Sequence, residues 1–355
     1  MAYTTIDDPS AYFQTALYTG NGGNQSITNV GNSDLQADWI WLKERSALSG
    51  HHVFDSSRGI GDSGKALIVN TNGAEGDDTA FRSFDSDGFT LASTGGFNES
   101  GQTNVAWQWK ANGGTTSSNT DGSITSTVQA NTTAGFSIVT YTGTGSSATV
   151  GHGLGSVPKM LIVKERDNAN DWKVYHHIIG NNKTVRLDTT DGETSDTSTF
   201  ASTTPTSSVF SVNSNATNRS GGGIVAYCFA EKQGYSKISS YTGNANADGP
   251  FIYTGFKPAW VIWKRTDASG NSWGLVDHRR NKNDTSDVGN VIDAYLNPDL
   301  NNDDGGNSAT MDFLSNGFKV RRTGNFINLD GSTYIYMAFA EHPFVSSKGV
   351  PTTAR

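Results

Sequence analysis

The sequence predicts an all-β protein made of three tandem β-sandwich or jelly-roll-like repeats. Three observations support this fold class. The 355-residue chain is rich in Gly, Ser, Thr and Asn, and only 17% of its residues are charged, a composition that favours short strands and turns over helices. Apolar runs alternate with turn signals, without a helical stripe between them. Finally, the chain aligns with itself in one register along its whole length.

The clearest repeat marker is the tripeptide Tyr-Thr-Gly, which occurs at Tyr18, Tyr141 and Tyr241. A strongly apolar run that ends in basic residues follows 21, 19 and 19 residues later. The three runs are residues 39–45, 160–166 and 260–265. Apolar residues fill both alternating positions of each run, which is typical of a strand covered on both faces.

The register continues to the end of each copy. The equivalent segments are residues 51–59, 172–180 and 273–281, then 86–91, 207–212 and 315–320, then the closing strands 105–109, 225–229 and 335–339. Asp-Gly before Phe89 and Asn-Gly before Phe318 predict tight turns at the start of a strand. These markers divide the chain into a first repeat at 1–112, a linker plus second repeat at 113–235, and a third repeat at 236–355. The polar stretch 111–133 is the expected linker, although part of it could add an edge strand.

Charge and composition exclude several classes of function. The formal net charge of −8 leaves no basic face for nucleic acid, and binding to an anionic membrane is equally disfavoured. Eighteen consecutive apolar residues occur nowhere, so we expect no membrane insertion. The first residues lack a basic segment followed by an apolar one, so we expect the protein to stay in the cytoplasm where it is made until it is released.

Two pairs of adjacent histidines, at 51–52 and 176–177, raise the question of a metal site. The repeat register aligns His51 with Trp172, and it aligns His176 with Asp55 and Asp277. A dedicated metal site would keep its ligands in register. We therefore expect no metal, cofactor-binding or catalytic residues, and interpret the histidines as polar residues at strand ends.

A charged pair occurs in the outer copies and is absent from the middle copy. Asp55 and Arg58 correspond to Asp277 and Arg280. The middle copy has His176 and Ile179 at the equivalent positions. The pattern is open to two interpretations, a functional site and a structural ion pair. We favour a structural pair or a strand-end hydrogen bond at the surface or rim, because such pairs require no function.

Two basic series follow the apolar runs. They are Lys43, Lys164 and Lys264, and Arg45, Arg166 and Arg265. We expect their aliphatic stems to cover the edge of the core while the charged groups stay in water. The alternative is that they pair with acidic loops of a neighbouring protein.

Four tryptophans could line a sugar-binding face: Trp39, Trp41, Trp260 and Trp263. They lie in the most apolar runs, and the middle copy replaces them by Met160 and aliphatic residues, so we interpret them as core. Carbohydrate contacts would then come from the polar loops at residues 59–64, 72–79, 191–206 and 281–307.

Several longer motifs carry a family resemblance. They include Val-Gly-His-Gly-Leu-Gly-Ser-Val-Pro-Lys-Met (150–160), Gly-Phe-Ser-Ile-Val-Thr-Tyr-Thr-Gly (135–143), Tyr-Thr-Gly-Phe-Lys-Pro-Ala-Trp (253–260), residues 112–124 and 234–237, and the C-terminal Ser-Lys-Gly-Val-Pro-Thr-Thr-Ala-Arg. Together they resemble an uncharacterised repeat family of virion structural, fibre-like proteins from marine tailed bacteriophages, including cyanophages. The resemblance spans residues 1–355 and supplies no catalytic residues. It implies a virion component assembled in the cytoplasm of a host bacterium.

The sequence therefore predicts a non-enzymatic virion structural protein, surface-exposed or tail-associated, that serves host attachment or architecture. Expected partners are other virion proteins, further copies of the chain in a homo-oligomer, and a glycan or protein of the host cell surface. A capsid decoration or collar protein without receptor binding is the alternative. A polysaccharide-degrading tail spike is a third hypothesis, but regular β-helix repeats and an identifiable carboxylate pair are missing.

Cys228 is the single cysteine, so no intrachain disulfide can form. Its neighbours Tyr227 and Phe229 are apolar, and we expect a buried, reduced thiol in the closing strand of the second repeat. A thiol reagent should label the native protein very slowly and the guanidinium-unfolded protein at once. Rapid labelling of the native protein would contradict this prediction.

Overall fold

Short antiparallel strands form almost all the regular structure of the computed structural model, which describes residues 2–60, 64–93, 95–280, 291–305 and 310–352. The first repeat contains a 3-10 turn at Pro9–Ala11, then β1 (Phe13–Thr19), β2 (Gln25–Ile27), β3 (Trp39–Glu44), β4 (His51–Asp55), β5 (Gly64–Ile68), β6 (Gly76–Asp78), β7 (Phe81–Asp85), β8 (Gly88–Leu91) and β9 (Thr103–Trp109). The second contains β10 (Ser117–Asn119), β11 (Ser126–Asn131), β12 (Phe136–Thr142), β13 (Ala148–Gly151), β14 (Met160–Glu165), β15 (Lys173–His176), β16 (Lys183–Arg186), β17 (Thr194–Ser195), β18 (Val209–Val212), α1 (Asn215–Asn218) and β19 (Gly223–Phe229). The third contains β20 (Ser236–Thr242), β21 (Phe251–Tyr253), β22 (Phe256–Arg265), β23 (Gly274–Asp277), β24 (Val291–Ile292), β25 (Met311–Leu314), β26 (Gly317–Val320) and β27 (Thr333–Pro343). The all-β prediction is confirmed.

Each repeat builds a main sheet with one strand order. The orders are β1-β9-β3-β4-β5-β6, then β10-β11-β12-β19-β14-β15-β16-β17, then β20-β27-β22-β23. In all three, the closing strand lies between the strand that carries Tyr-Thr-Gly (β1, β12 or β20) and the strand of the apolar run. The apolar runs β3, β14 and β22 therefore occupy equivalent positions. The limits of the repeats as separate domains stay a prediction.

Part of the expected linker is an edge of the second main sheet. Strand β10 pairs with β11, and β11 pairs with β12. The polar composition of residues 111–133 fits this position, because an edge strand has one side in water.

A smaller sheet covers the outer face of each main sheet and completes a two-layer sandwich. These sheets are β2-β8-β7, β13-β18 and β21-β26-β25-β24. The predicted turns form the β7–β8 and β25–β26 hairpins, each with a two-residue loop. A Cβ atom on Gly88 would lie 1.9 Å from the carbonyl oxygen of Ile27, and one on Gly317 would lie 2.1 Å from that of Ile252. Glycine is thus required at both positions, because the neighbouring strand passes too close to leave room for a side chain.

The inner faces of the three main sheets meet in one shared core. Trp109, Phe229 and Phe339 end the equivalent closing strands, and Phe339 lies 5.7 Å from Trp109 and 6.1 Å from Phe229 between ring centroids. Other contacts also cross between repeats, such as Trp39 stacked on Tyr227 at 4.6 Å. Aromatic residues contribute large buried areas and favourable pair geometry. No repeat covers its own inner face.

The four tryptophans of the apolar runs are at most 1% exposed, which confirms that they belong to the core. Trp39, Trp41 and Trp260 point into the shared core, whereas Trp263 packs beneath the outer sheet of the third repeat. Cys228 is buried under the outer sheet of the second repeat, as predicted. Burial raises the pKa of its thiol to about 12. No helix among the described residues is long and apolar enough to cross a membrane.

One side chain anchors the start of the strand after the apolar run in every repeat. The Oδ1 atom of Asn70 accepts from the backbone N–H of His51 at 2.8 Å. Asp188 and Asp299 hold Trp172 and Trp273 in the same way, at 3.1 and 2.9 Å. Burial raises the pKa of both aspartates to about 6.

Replacing Asp299 by Asn should therefore change the pH dependence of stability. Because the folded pKa lies above the unfolded value, the folded state binds the proton more tightly, and this contribution is lost as the pH rises through 6. Asp299→Asn should remove up to about 3 kcal/mol of that pH dependence and stabilise the protein at pH 8. Urea unfolding between pH 4 and 8 measures the effect. The exposed Asp330→Asn is the control, and an unchanged pH profile for Asp299→Asn would contradict the prediction.

Candidate functional site

The three repeats are joined at three seams, which we define by the repeats in contact: the first between repeats 1 and 2, the second between repeats 2 and 3, and the third between repeats 3 and 1. Backbone hydrogen bonds cross each seam at equivalent places. They are Asn170 N to Asn72 O at 2.9 Å, Asn271 N to Thr190 O at 3.3 Å, and Ser49 N to Asn301 O at 2.9 Å. Because the third seam returns to the first repeat, the chain forms a closed ring with pseudo-threefold symmetry.

A buried ion-pair network holds the first seam. Arg58 donates to Asp55 at 2.5 Å and to Glu75 at 2.7 Å, all within the first repeat. Two residues of the second repeat join this network: the Tyr227 hydroxyl donates to Asp55 at 2.7 Å, and Arg166 pairs with Glu75 at 2.7 Å. The side chains of Asp55 and Arg58 are fully buried. Asp55 and Arg58 form the expected ion pair, but the expected position at the surface or rim was wrong.

The third seam repeats the network with different partners. Asp277 accepts from Arg280 at 2.5 Å and from the indole N–H of Trp107 at 2.9 Å. Arg280 also pairs with Asp304 at 2.6 Å, and Asp304 pairs with Arg45 at 2.7 Å. Burial raises the pKa of Asp277, but Arg280 and the indole hydrogen bond outweigh it and hold the pKa below the usual value. Asp277 is therefore a buried carboxylate.

Among the described residues, the second seam has no such network, because the carboxylate, the arginine and the donor from the neighbouring repeat are all replaced. Met337 takes the place of Tyr227 and Trp107 in the closing strand, so a carboxylate there would lose its donor from the neighbouring repeat. His176 stands at the carboxylate position, with Nε2 3.4 Å from the carbonyl oxygen of Tyr336. Burial lowers the pKa of His176 to about 3, so the imidazole is neutral. The difference among copies seen in the sequence is thus a matched change on both sides of a seam.

The lysine series is buried at the seams, and the expectation that the charged groups stay in water was wrong. Lys164 donates to the carbonyl oxygens of Asn72, Glu165 and Asn170, at 3.2, 2.9 and 2.8 Å. Lys264 repeats this arrangement with Thr190, Arg265 and Asn271, and Lys43 is equally buried. Burial lowers the pKa of all three to about 8. The ammonium groups of Lys164 and Lys264 donate to carbonyls of the neighbouring loops.

The arginine series is equivalent only in its first two members. The backbone hydrogen bonds show that Thr266, rather than Arg265, is the structural equivalent of Arg45 and Arg166. Arg45 and Arg166 pair with acidic loops across the seams, within the same chain, whereas Arg265 pairs locally with Asp267 at 2.6 Å. The sequence alignment placed Arg265 one residue away from its true equivalents. It did so because the basic run of the third repeat ends at Arg265, whereas the other two runs end at Arg45 and Arg166.

The adjacent histidines make hydrogen bonds within the chain. His51 begins β4 and His176 ends β15, as strand-end residues do, but both are fully buried. The Nδ1 atom of His51 accepts from the indole of Trp41 at 2.9 Å, and His177 lies 2.9 Å from the carbonyl oxygen of Ile238 across the second seam. Among the described residues, no group of three His, Cys, Asp or Glu side chains is arranged to hold a metal.

The loops predicted to carry carbohydrate contacts lie partly at the seams. Loop 72–79 supplies Asn72 and Glu75, and loop 281–307 supplies Asn301 and Asp304. Loop 191–206 supplies Glu193, whose backbone N–H donates to the carbonyl oxygen of Thr266 at 2.7 Å. These residues fasten one repeat to the next. Residues 61–63, 281–290 and 306–307 of the predicted loops lie outside the described part of the chain.

A cavity of about 210 Å³ opens at the third seam. Thr15, Ala259 and Ala340 form its buried floor, and His278 and Arg279 line one wall. Further lining residues are Asp8, Ser10, Phe13, Gln14, Val30, Gly31, Asn32, Glu341 and His342. Burial lowers the pKa of His278, which outweighs the nearby Glu341 and Asp277 carboxylates. The seam cavity is the candidate site, because it combines space with several polar groups.

Two small residues keep the seam cavity open. Ala259 is equivalent to Lys159 in the second seam and to Asp38 in the first, since their carbonyl oxygens accept from the equivalent residues His278, His177 and Ser56. Lys159 pairs with Glu231 at 3.0 Å, and Asp38 accepts from several backbone N–H groups. The floor residue Thr15 is equivalent to Ile138 and Ile238. Aligning the copies at these two positions is the signal that sequence reasoning missed.

Comparison with known families supports no specific activity. Residues 8–343 match the model of a family described as a domain of unknown function, DUF7483, and the chain belongs to this family. No curated protein and no solved structure matches the chain.

The first-seam network predicts a specific cost for losing its hydroxyl. Tyr227→Phe should lower the free energy of unfolding by about 1–3 kcal/mol, because Asp55 remains buried with one donor fewer. Denaturant unfolding measures the change. Tyr253→Phe is the control, since Tyr253 is 53% exposed and its hydroxyl has access to water. Equal effects of the two substitutions would refute the importance of the network.

Proposed function

We propose that this member of the DUF7483 family is a non-enzymatic structural protein of a tailed-phage particle, surface-exposed or tail-associated, that serves attachment or architecture. The assignment to a phage particle is supported by the motif resemblance over residues 1–355. The observation that supports a structural role is the closure of three repeats around one shared core. Such a unit gains its stability from packing across all three repeats and needs no disulfide.

The absence of catalysis is part of the same proposal. Two buried carboxylates, Asp55 and Asp277, are each paired with an arginine and accept a hydrogen bond from another repeat. A general acid or base needs contact with a substrate and a pKa near the working pH. These two groups are better suited to joining repeats than to proton transfer.

Attachment is favoured over pure architecture by the seam cavity. It lies at the third seam, where the repeat pattern departs from itself at Ala259 and Thr15. A decoration or collar protein without a receptor would gain nothing from this change. The partners we propose are other virion proteins, further copies of the chain and host-surface glycan or protein.

The proposal predicts that the protein is a constituent of purified particles. Mass spectrometry of density-purified virions of a phage that encodes the chain should detect it in several copies, and immunogold labelling should place it on the tail or surface. A replication protein of the same phage is the negative control. Labelling confined to the capsid, without binding of the purified protein to host cells, would favour the decoration alternative. Presence in infected cells but absence from particles would refute the proposal, and release of reducing sugar from host capsule would favour the tail spike.

A further inference from the structure

We propose that the seam cavity binds a small ligand that bears a carboxylate, of the size of one acidic sugar unit of a glycan. This inference rests on the proposed attachment role and names the class of ligand for it. At about 210 Å³, the cavity is smaller than the roughly 300 Å³ at which ordinary ligand pockets begin. It therefore has room for one ring or one terminal unit of a larger chain.

A guanidinium group without a protein partner lines the seam cavity. The side chain of Arg279 makes no hydrogen bond or ion pair with the part of the chain that the structure describes, although its backbone N–H donates to Asp277. The equivalent residues cannot play this part: Ser57 accepts from Gln129 across the first seam, and Ile178 is apolar. A guanidinium presents a planar pair of donors that matches the two oxygens of a carboxylate.

The other polar groups of the cavity suit sugar hydroxyls. The buried Thr15 Oγ1 atom has no hydrogen-bond partner in the described structure, and both equivalent positions are isoleucine. Asp8 is already held by Ser10 and Ser33, and Glu341 lies 2.6 Å from Lys257. These carboxylates keep free lone pairs that can accept from hydroxyl groups. Buried hydroxyls without partners are costly, and a ligand that supplies a partner removes that cost.

The charge of the site favours a carboxylate over a phosphate. The seam cavity offers the guanidinium of Arg279, which has no side-chain partner among the described residues, while the walls carry the two carboxylates of Asp8 and Glu341. A singly charged carboxylate can be matched by Arg279 alone. A phosphate carries more negative charge than a carboxylate, so Asp8 and Glu341 would repel it more strongly.

The test is binding of glucuronate to the purified full-length protein, followed by calorimetry or by ligand-observed NMR. Glucose, acetate and inorganic phosphate are the comparison probes. We expect glucuronate to bind at least tenfold more tightly than any of them. Arg279→Gln should weaken glucuronate binding at least tenfold, and Arg219→Gln, at an exposed arginine far from the cavity lining, should leave it unchanged.

A second variant fills the cavity with the side chain that the second seam carries at this position, and its ammonium is expected to be neutralised by Glu341. Ala259→Lys copies Lys159 of the second seam, where the ammonium pairs with Glu231, and Glu341 stands at the equivalent position to receive it. This variant should retain the wild-type near-UV circular dichroism and lose glucuronate binding. Failure to bind glucuronate, equal binding of glucose or phosphate, or indifference to both Arg279→Gln and Ala259→Lys would overturn the inference. Because particle localisation is measured without any ligand, failure here is distinguishable from failure of the proposed function.

Discussion

The structure depends on one constraint, which is that no repeat covers the inner face of its own main sheet. Trp39, Trp109 and Trp260 lie in a core to which all three repeats contribute, and truncating a buried tryptophan costs about 3–5 kcal/mol. The three sheets must therefore be brought together for any of them to be stable. The outer sheets, by contrast, are local, and each closes its own smaller core.

The buried charges follow from the same constraint. Where two repeats meet, strand ends and loops bring backbone carbonyls into a dry environment, and a buried carbonyl requires a donor. Lys164 and Lys264 provide three donors each from the end of an apolar strand. The Asp55 and Asp277 networks then connect side chains of different repeats, and breaking such a pair leaves an uncompensated buried charge. This selects one arrangement of the repeats over slipped ones.

The strands and their equivalence follow from local pattern, since alternation, turn residues and self-alignment are properties of neighbouring residues. The shared core does not follow from local pattern. The sequence around Trp39 predicts a buried residue, but it is the same whether Trp39 packs against its own repeat or against another. For the same reason Lys164 and Arg58 were expected at the rim: Lys164 has a partner in another repeat, Asn72, and Arg58 has a partner in another element, Glu75. The seam cavity exists because the side chains of Ala259 and Thr15 are smaller than those of the equivalent residues in the other repeats. A smaller side chain produces no recognisable sequence motif. Only comparison among the copies reveals it.

Three equivalent seams, closed from the last repeat to the first, have the geometry of a cyclic homotrimer contained in one chain. In a trimer of identical subunits, every substitution appears three times, so a residue removed to open a cavity would open all three seams. Fusion of the copies lifts that restriction. One seam can then lose the bulk that the other two keep, and a symmetric scaffold acquires a single, distinct face without dismantling the contacts that hold it closed.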